Sequence, residues 1–314
     1  CFVLVAIFAF ALPVGILGNL AVLVYNTCLG RTLSTSNVFL VNLALCDSAW
    51  ILTLPLNLHF RFQRPDPRDL QTFCKIKHVS FNVSIYGSIL FLTLISFDRY
   101  VGTVHPISSL RWWNVGKAKM CSVCAWAGLM LIAIPDFFLT FAVQQSENVT
   151  VCLNHFRDPF HPAKTIILIR TTVCFLLPLC IMLFFYVTTV RALRRPPKGA
   201  RRRGAQQTER KPLRLIAAAV LVFAASFVPY HLTVVTLVIM QIRDLIKPSD
   251  ADVLYVAYEL CEAICTLSSC LDPVLYLLAT EQFKRKLLAL KRDRYTRPCC
   301  RASNRVGVMV MKEY

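Results

Sequence analysis

The chain has 314 residues, of which 56% are hydrophobic, and its formal net charge is +18. A soluble protein of this length needs more polar side chains to cover its surface, so the composition excludes a water-soluble globular protein. The basic excess concentrates in two segments that flank apolar regions, and this placement argues against a nucleic-acid partner.

Seven apolar runs are each long enough to cross a bilayer as a helix, which takes about 20 residues. They cover residues 2–27, 37–60, 73–104, 118–142, 164–193, 212–241 and 252–279. The sequence therefore predicts an all-α membrane protein, a seven-transmembrane helix bundle within residues 1–280. Because the chain opens on Cys1 inside the first run, without an initiator methionine, we expect an N-terminal segment to be missing.

The two basic segments predict which side of the bundle faces the cytoplasm. One lies between the fifth and sixth runs and includes Arg201–Arg203, and the other follows the seventh run and includes Lys284–Lys286. By the positive-inside rule, we predict a multi-pass plasma-membrane protein with its N-terminus outside and its C-terminus in the cytoplasm. Residues 194–210, with Pro196-Pro197 and Gly199, are predicted to form a flexible solvated loop.

The chain beyond the seventh run has two predicted parts. Residues 281–294 carry apolar side chains on one side and basic ones on the other, which predicts a short amphipathic juxtamembrane helix at the inner surface. Residues 295–314 are predicted to be a cytoplasmic tail. Cys299 and Cys300 are palmitoylation candidates, although two unmodified cysteines fit the sequence as well.

The outer face carries a predicted disulfide and a predicted glycan. Cys74 begins the third run and Cys152 lies in the loop between the fourth and fifth, where the compartment is oxidising, so we expect a Cys74–Cys152 disulfide. Asn148, in the same loop, begins an Asn-Val-Thr glycosylation signal. No cysteine spacing suggests a metal site.

Several polar residues fall inside the apolar runs, where they are costly. Asp47 lies near mid-bilayer in the second run, and a charge there costs about 2.5–3.5 kcal/mol unless it pairs or binds a cation. Asn19 in the first run predicts an interhelical hydrogen bond. Pro229 removes a backbone hydrogen bond from the sixth run and predicts a kinked, pivoting helix.

The third run ends with Asp98-Arg99-Tyr100, followed by Val104-His105-Pro106. This segment resembles the Asp-Arg-Tyr end of helix three in rhodopsin-like (class A) G-protein-coupled receptors. Further markers of that family occur in order between residues 2 and 295: Asn19, Asp47, Trp126, Pro178, Tyr186, Pro229, Asp272-Pro273 and Tyr276. Ser226-Phe227 replaces the common Cys-Trp, and Asp272-Pro273 replaces the common Asn-Pro. Both variants resemble the branch that holds nucleotide, succinate, lysophospholipid, platelet-activating-factor and proton-sensing receptors.

The resemblance implies roles for particular residues. A sodium pocket that stabilises the resting state would comprise Asn19, Asp47, Ser88, Ser268 and Asp272. An activation switch would comprise Asp98, Arg99, Tyr100, Tyr186, Phe223, Phe227, Pro229, Pro273 and Tyr276. At rest Arg99 would pair with Asp98, and outward movement of the sixth span would open a groove for heterotrimeric G protein. Arrestin and receptor kinases are further expected partners.

The ligand is less closely specified. Candidate contacts are His59, Lys77, His78, Phe81, Tyr86, Arg170, Tyr230, His231, Glu259 and Glu262. We expect a lipid-like anion or zwitterion, with a small polar metabolite, a nucleotide or protons as alternatives. Arg170 either anchors a ligand phosphate or carboxylate or forms a buried pair with Glu262 or Glu259.

Other membrane functions explain the sequence less well. Asp47 and Asp272 could imitate an intramembrane aspartyl protease, but neither lies in such a motif and the Asp-Arg-Tyr end would have no role. A light-driven pump requires a lysine within residues 252–279, which have none. A transporter predicts internal repeats or broken helices. We therefore expect a receptor and not an enzyme, with no cofactor other than an allosteric sodium ion.

Overall fold

The computed structural model describes residues 2–26, 34–62, 66–146, 149–154, 161–194, 203–243, 245 and 251–279. The helices are α1 (Phe2–Val24), α2 (Thr35–Ile51), α3 (Leu54–Phe62), α4 (Pro67–Val104), α5 (Pro106–Trp112), α6 (Val115–Leu139), α7 (His161–Thr171), α8 (Leu177–Arg194), α9 (Arg203–Ile242) and α10 (Ala251–Ala279). The strands are β1 (Thr140–Ser146) and β2 (Val149–Asn154), and a π-helical turn (Thr172–Leu176) joins α7 to α8.

The helices confirm the predicted bundle. Six stretches in the described chain are long and apolar enough to cross a membrane, and α10 is a further helix of 29 residues. Helix α4 is central because it packs against α2, α6, α8 and α9, and it buries Ile89, Phe91, Leu92 and Ile95 completely. Helix α10 packs against α1, α2 and α9. The two ends of the bundle are named below after residues near the two ends of α4, the Cys74 end and the Arg99 end.

Proline residues shape two of these helices. Helix α2 ends at Ile51 and α3 starts at Leu54, directly before Pro55, so the second predicted run is broken as proline requires. In the fifth run, Pro178 has no N–H group, and the chain forms the π-helical turn just before it. There the Leu177 N–H bonds to the Thr172 carbonyl, which adds one residue to the turn and places Phe175 in the bundle interior.

The structure corrects two boundaries. Helix α6 ends at Leu139, so residues 140–142, which were predicted as part of the fourth span, lie in strand β1 instead. Strands β1 and β2 form an antiparallel hairpin that contacts α4, an element that the apolar runs do not predict. Helix α9 begins at Arg203, so the predicted solvated loop at 194–210 is wrong for its last residues.

Several predicted features lie outside the described residues. Residues 280–314, with the predicted amphipathic helix, the tail, Cys299 and Cys300, are among them. Asn148 is also outside, as are the side chains of Cys152 and Tyr276. These features stay predictions.

Close packing of α2 on α4 depends on Gly87. A Cβ atom there would overlap the Cys46 sulfur, and it would come within 3.0 Å of Cys46 Cβ and 3.4 Å of Leu129 Cδ1. We expect Gly87→Ala to lower the free energy of unfolding by about 1–3 kcal/mol through overpacking. Gly102→Ala on the same helix is the matched control, because nothing lies within 4 Å of its Cβ position. Thermal unfolding of detergent-purified protein compares the two, and an equal melting temperature for both variants would contradict this packing.

Candidate functional site

At the Arg99 end, Asp98 holds a network that joins two helices and a loop. Arg99 Nη2 lies 3.6 Å from Asp98 Oδ2, as the resemblance implies for the resting state. The Ser36 hydroxyl on α2 donates to the same Asp98 oxygen and accepts from Arg99. The Trp113 indole N–H donates to the other oxygen, Asp98 Oδ1, at 2.8 Å. Neither Ser36 nor Trp113 was among the predicted switch residues.

The structure also places three other predicted switch residues, Tyr100, Tyr186 and Pro273. The Tyr100 ring stacks on Phe185 with ring centres 4.9 Å apart, and Tyr186 on the same helix is half-buried. Pro273 is half-buried in α10, next to Gly18 of α1, where an added Cβ would approach its Cγ to 2.8 Å. This contact brings α1 and α10 close together.

Nearer the bundle centre, aromatic rings form a continuous column. Phe223 and Phe227 on α9 are fully buried, with ring centres 5.5 Å apart. Phe175, from the π-helical turn, stacks on Phe223 at 5.5 Å and on His231 at 4.0 Å. The column therefore connects the fifth span to the helix that carries Pro229. Phe175 was not predicted as a site residue, because its inward position depends on the extra residue of the π turn.

Two carboxyl groups face each other in mid-bundle, as the resemblance implies. Asp47 Oδ1 accepts from Ser88 at 3.0 Å and from Ser269 at 2.9 Å, and the Asp47 and Asp272 side chains interact. Asp47 Oδ2 and both oxygens of Asp272 are buried without a hydrogen-bond donor among the described residues. Three such oxygens and two hydroxyls fit a hard cation, which prefers oxygen ligands.

The structure places Ser269, and not the predicted Ser268, against Asp47. Ser268 donates to the Cys265 carbonyl at 2.6 Å, whereas its neighbour Ser269 donates to Asp47. Asn19 contributes indirectly, because its amide donates to the carbonyls of Gly15 and Ser269, both at 3.0 Å. Adjacent serines on a helix point about 100° apart, so only one of them can face Asp47.

Towards the Cys74 end, a buried cluster of polar residues centres on Asp136 of α6. Arg170 forms a two-pronged pair with it, at 2.8 Å and 3.0 Å, which joins α7 to α6. From α4, Asn82 donates to Asp136 at 2.8 Å, and His78 Nε2 lies 3.4 Å away. The Arg170 guanidinium also lies over the Tyr86 ring, 5.6 Å from its centre.

This cluster corrects the proposed partners of Arg170. Its counter-charge is Asp136, not Glu262 or Glu259. Asp136 was not among the predicted site residues, although an acidic residue after Pro135 inside an apolar run is a signal for a buried pair. Because both Asp136 oxygens are engaged, the charge of Arg170 is already balanced within the protein.

A second ion pair lies at the mouth of the Cys74 end. Lys77 Nζ on α4 lies 2.9 Å from Glu262 Oε1 on α10. The two side chains are 16% and 3% exposed, respectively. Below them the rings of Phe81 and Tyr230 meet edge to face, with centres 5.3 Å apart. His231 is buried beside Tyr86, with ring centres 5.9 Å apart.

The remaining ligand candidates are spread around this mouth. Glu259 is buried on α10, one turn before Glu262. His59 is exposed on α3 and packs against Phe60. Cys74 is disulfide-bonded, and Cys152 lies on β2 of the adjoining hairpin, so the pairing of the two stays a prediction that this arrangement suits.

Comparisons with known proteins agree with this geometry. Residues 18–276 match the family described as 7 transmembrane receptor (rhodopsin family). The chain is 30% identical over 302 residues to purinoceptor 1 of Rattus norvegicus, covering 95% of this chain and 78% of that protein. It is 31% identical over 277 residues to purinoceptor 1 of Gallus gallus, covering 87% and 75%. It is 28% identical over 295 residues to purinoceptor 4 of Xenopus laevis, covering 93% and 54%.

These matches place the chain in the nucleotide-receptor branch and among receptors, not enzymes. They support a multi-pass plasma-membrane protein that couples to G proteins and takes a small extracellular ligand. With the Asp-Arg-Tyr network, the aromatic column and the carboxyl pair arranged along one helix bundle, the chain belongs to the rhodopsin family of seven-transmembrane receptors.

Proposed function

We propose that the receptor binds a phosphate-bearing, nucleotide-like ligand at the Cys74 end and passes the signal to G protein at the Arg99 end. In this proposal the Cys74 end faces outwards and the Arg99 end faces the cytoplasm, with the N-terminus outside. The relatives named purinoceptors favour a nucleotide over the lipid-like ligand expected from the sequence. Arrestin and receptor kinases remain proposed partners.

The ion pair between Lys77 and Glu262 carries the ligand proposal. Lys77 is the partly exposed member, so an arriving phosphate can reach its ammonium group. Charge-assisted hydrogen bonds to phosphate are the strong ones, and such a contact would compete with Glu262. Since Lys77 is on α4 and Glu262 is on α10, breaking the pair would loosen the tie between the two helices. Phe81 and Tyr230 lie below it as buried aromatic rings that form its apolar floor.

A zwitterionic lipid-like ligand is the second candidate. The same pair offers it one charge of each sign, because Lys77 would meet the anionic group and Glu262 the cationic group. The two candidates therefore differ in what they require of Glu262. A nucleotide gains when Glu262 is neutralised, whereas a zwitterion loses a contact.

G-protein dissociation in cells separates the two candidates. We expect a panel of nucleoside di- and triphosphates, lysophospholipids, dicarboxylates and pH steps to yield an active anion. Lys77→Ala should then reduce its potency about 10- to 100-fold, since a hydrogen bond to a charged group contributes about 1.5–3 kcal/mol. Glu262→Gln should raise the potency of a nucleotide and lower that of a zwitterion.

The matched control is Lys75→Ala. Lys75 is also basic and close in sequence, but its ammonium group lies over the Phe137 ring, 4.9 Å from the centre, away from Glu262. An equal loss of potency in the Lys75 and Lys77 variants would mean that Lys77 acts only through general attraction of anions and not through a specific contact. Activity of a neutral ligand alone would reject both candidates.

We also propose that sodium binds between Asp47 and Asp272 in the resting receptor. Ser88 and Ser269 would complete the site, in which the ion would balance the charge of two buried carboxylates. The three buried carboxyl oxygens that have no donor in the described part of the chain support this proposal.

A further inference from the structure

The loop that follows α4 reaches back into the Arg99 network through one side chain. Trp113 follows α5 in an extended conformation, with φ −108° and ψ 117°, and its backbone N–H donates to the Ser109 carbonyl at 2.8 Å. The indole lies between Phe39 of α2 and Phe97 of α4, with ring centres 6.2 Å and 5.1 Å away. Packing on both sides therefore fixes the direction of the indole N–H.

The Asp98 carboxylate is held mainly by neutral donors. Trp113 donates to Oδ1 at 2.8 Å and Ser36 donates to Oδ2, whereas Arg99 Nη2 is 3.6 Å from Oδ2, beyond direct hydrogen-bond distance. Arg99 instead reaches the carboxylate through Ser36, to which it donates a hydrogen bond. The orientation of the carboxylate therefore decides whether Ser36 can donate to it and whether Arg99 can reach it through Ser36.

Losing the indole donor would leave half of this arrangement unsupported. Asp98 is 7% exposed, so water cannot freely replace a missing donor at Oδ1. The carboxylate would then rotate to recover a partner, and its rotation would withdraw Oδ2 from Ser36. Arg99, whose Nε atom is buried without a hydrogen-bond partner among the described residues, would lose the arrangement that holds it.

We propose that Trp113 is a positioning residue of the receptor switch, whose indole N–H orients Asp98 so that Arg99 stays in its resting place. This inference rests on the proposed release of Arg99 during activation and adds a loop residue to that step. The loop is thereby coupled to the switch before any G protein binds. A merely structural role of Trp113 would affect the amount of folded receptor but not its resting activity.

The test compares ligand-independent G-protein activation per receptor at the cell surface. We expect Trp113→Phe, which keeps an aromatic ring but removes the donor, to raise resting activity about 3- to 10-fold, which corresponds to a shift of about 0.7–1.4 kcal/mol in the switch equilibrium. Trp112→Phe is the matched control and should leave resting activity unchanged, because Trp112 is 41% exposed and its ring neighbours among the described residues are Phe97 and Trp113, not Asp98.

Two further variants make the outcome decisive. If Trp113→Phe does not reach the surface, 3-benzothienylalanine at position 113 keeps the shape of the indole and replaces its N–H by sulfur. Unchanged resting activity in this variant, with less folded receptor, overturns the proposal. Asp98→Asn separates the role of Trp113 from the release of Arg99 that it is proposed to control. If it raises resting activity while loss of the indole N–H does not, the switch stands without Trp113, and if neither change does, release of Arg99 from Asp98 is not the activating step.

Discussion

Replacing Asp136 with alanine is expected to cost more stability than any other single change at the Cys74 end. The Arg170 side chain is 9% exposed, and its guanidinium would keep its charge in an apolar bundle without a counter-charge. Removing one member of a buried ion pair costs about 3–5 kcal/mol. We expect Asp136→Ala to lower the melting temperature of the detergent-purified receptor and to remove most of it from the cell surface.

The opposite change should be milder. Arg170→Ala leaves Asp136 with Asn82 and His78 as remaining partners, so its carboxylate is not left alone. The charge-neutral pair Asp136→Asn with Arg170→Gln should recover much of the stability lost in Asp136→Ala, because no buried charge is left alone. The melting temperatures of Asp136→Asn and Arg170→Gln alone give the comparison. A decrease in the double variant equal to the sum of the two single decreases would show that the residues do not act as a pair.

This experiment also decides what Arg170 does for a ligand. If Arg170 is a free anchor, Arg170→Ala should lower agonist potency and leave the stability of the receptor unchanged. If it is a paired structural residue, the same variant should lose stability first. The two-pronged bond to Asp136 predicts the second result. A ligand anion would have to displace both bonds of Arg170 to Asp136, whereas Lys77 makes a single contact with Glu262 and is more exposed, with 16% of its side chain accessible against 9% for Arg170. Lys77 is therefore the preferred anchor.

Sequence patterns predicted the parts of this receptor that depend on depth in the membrane. A charge is costly at a given depth whatever its partner, so Asp47, Asp272 and the Asp98-Arg99 pair stand out among apolar neighbours. The depth of each residue in the membrane followed from its position within its apolar run. The bundle was therefore predictable before any coordinates, whereas the meeting of Asp47 and Asp272 was implied by the family resemblance.

Contacts between helices were less predictable, because they depend on rotation and on local irregularities. Arg170 was matched to the wrong acid because the sequence gives its depth and not the face of α7 on which it lies. Ser268 was chosen over Ser269 for the same reason. Phe175 depends on the π-helical turn, and Trp113 on how the loop after α5 folds back, and neither feature has an apolar period that could reveal it.

Sodium should stabilise the receptor, and Asp272→Asn should abolish that effect. If the free ion exceeds its dissociation constant about 100-fold, binding contributes about 2.7 kcal/mol. The parent should therefore melt at a higher temperature in sodium chloride than in choline chloride at equal ionic strength. In Asp272→Asn the amide N–H can donate to Asp47 Oδ2, which has no donor among the described residues of the parent, so this variant should be stable without sodium and indifferent to it.

The neighbouring serines provide the matched comparison for this site. Ser269→Ala removes a hydrogen bond to Asp47 and should weaken the sodium response, whereas Ser268→Ala removes one to the Cys265 carbonyl and should leave the response intact. A melting temperature of Asp272→Asn that still rises with sodium would exclude Asp272 from the site. A greater loss in Ser268→Ala than in Ser269→Ala would restore the assignment that the family resemblance implied and contradict the geometry of α10. Only a sodium response that survives Asp272→Asn requires the ion to lie elsewhere than between the two facing carboxyl groups.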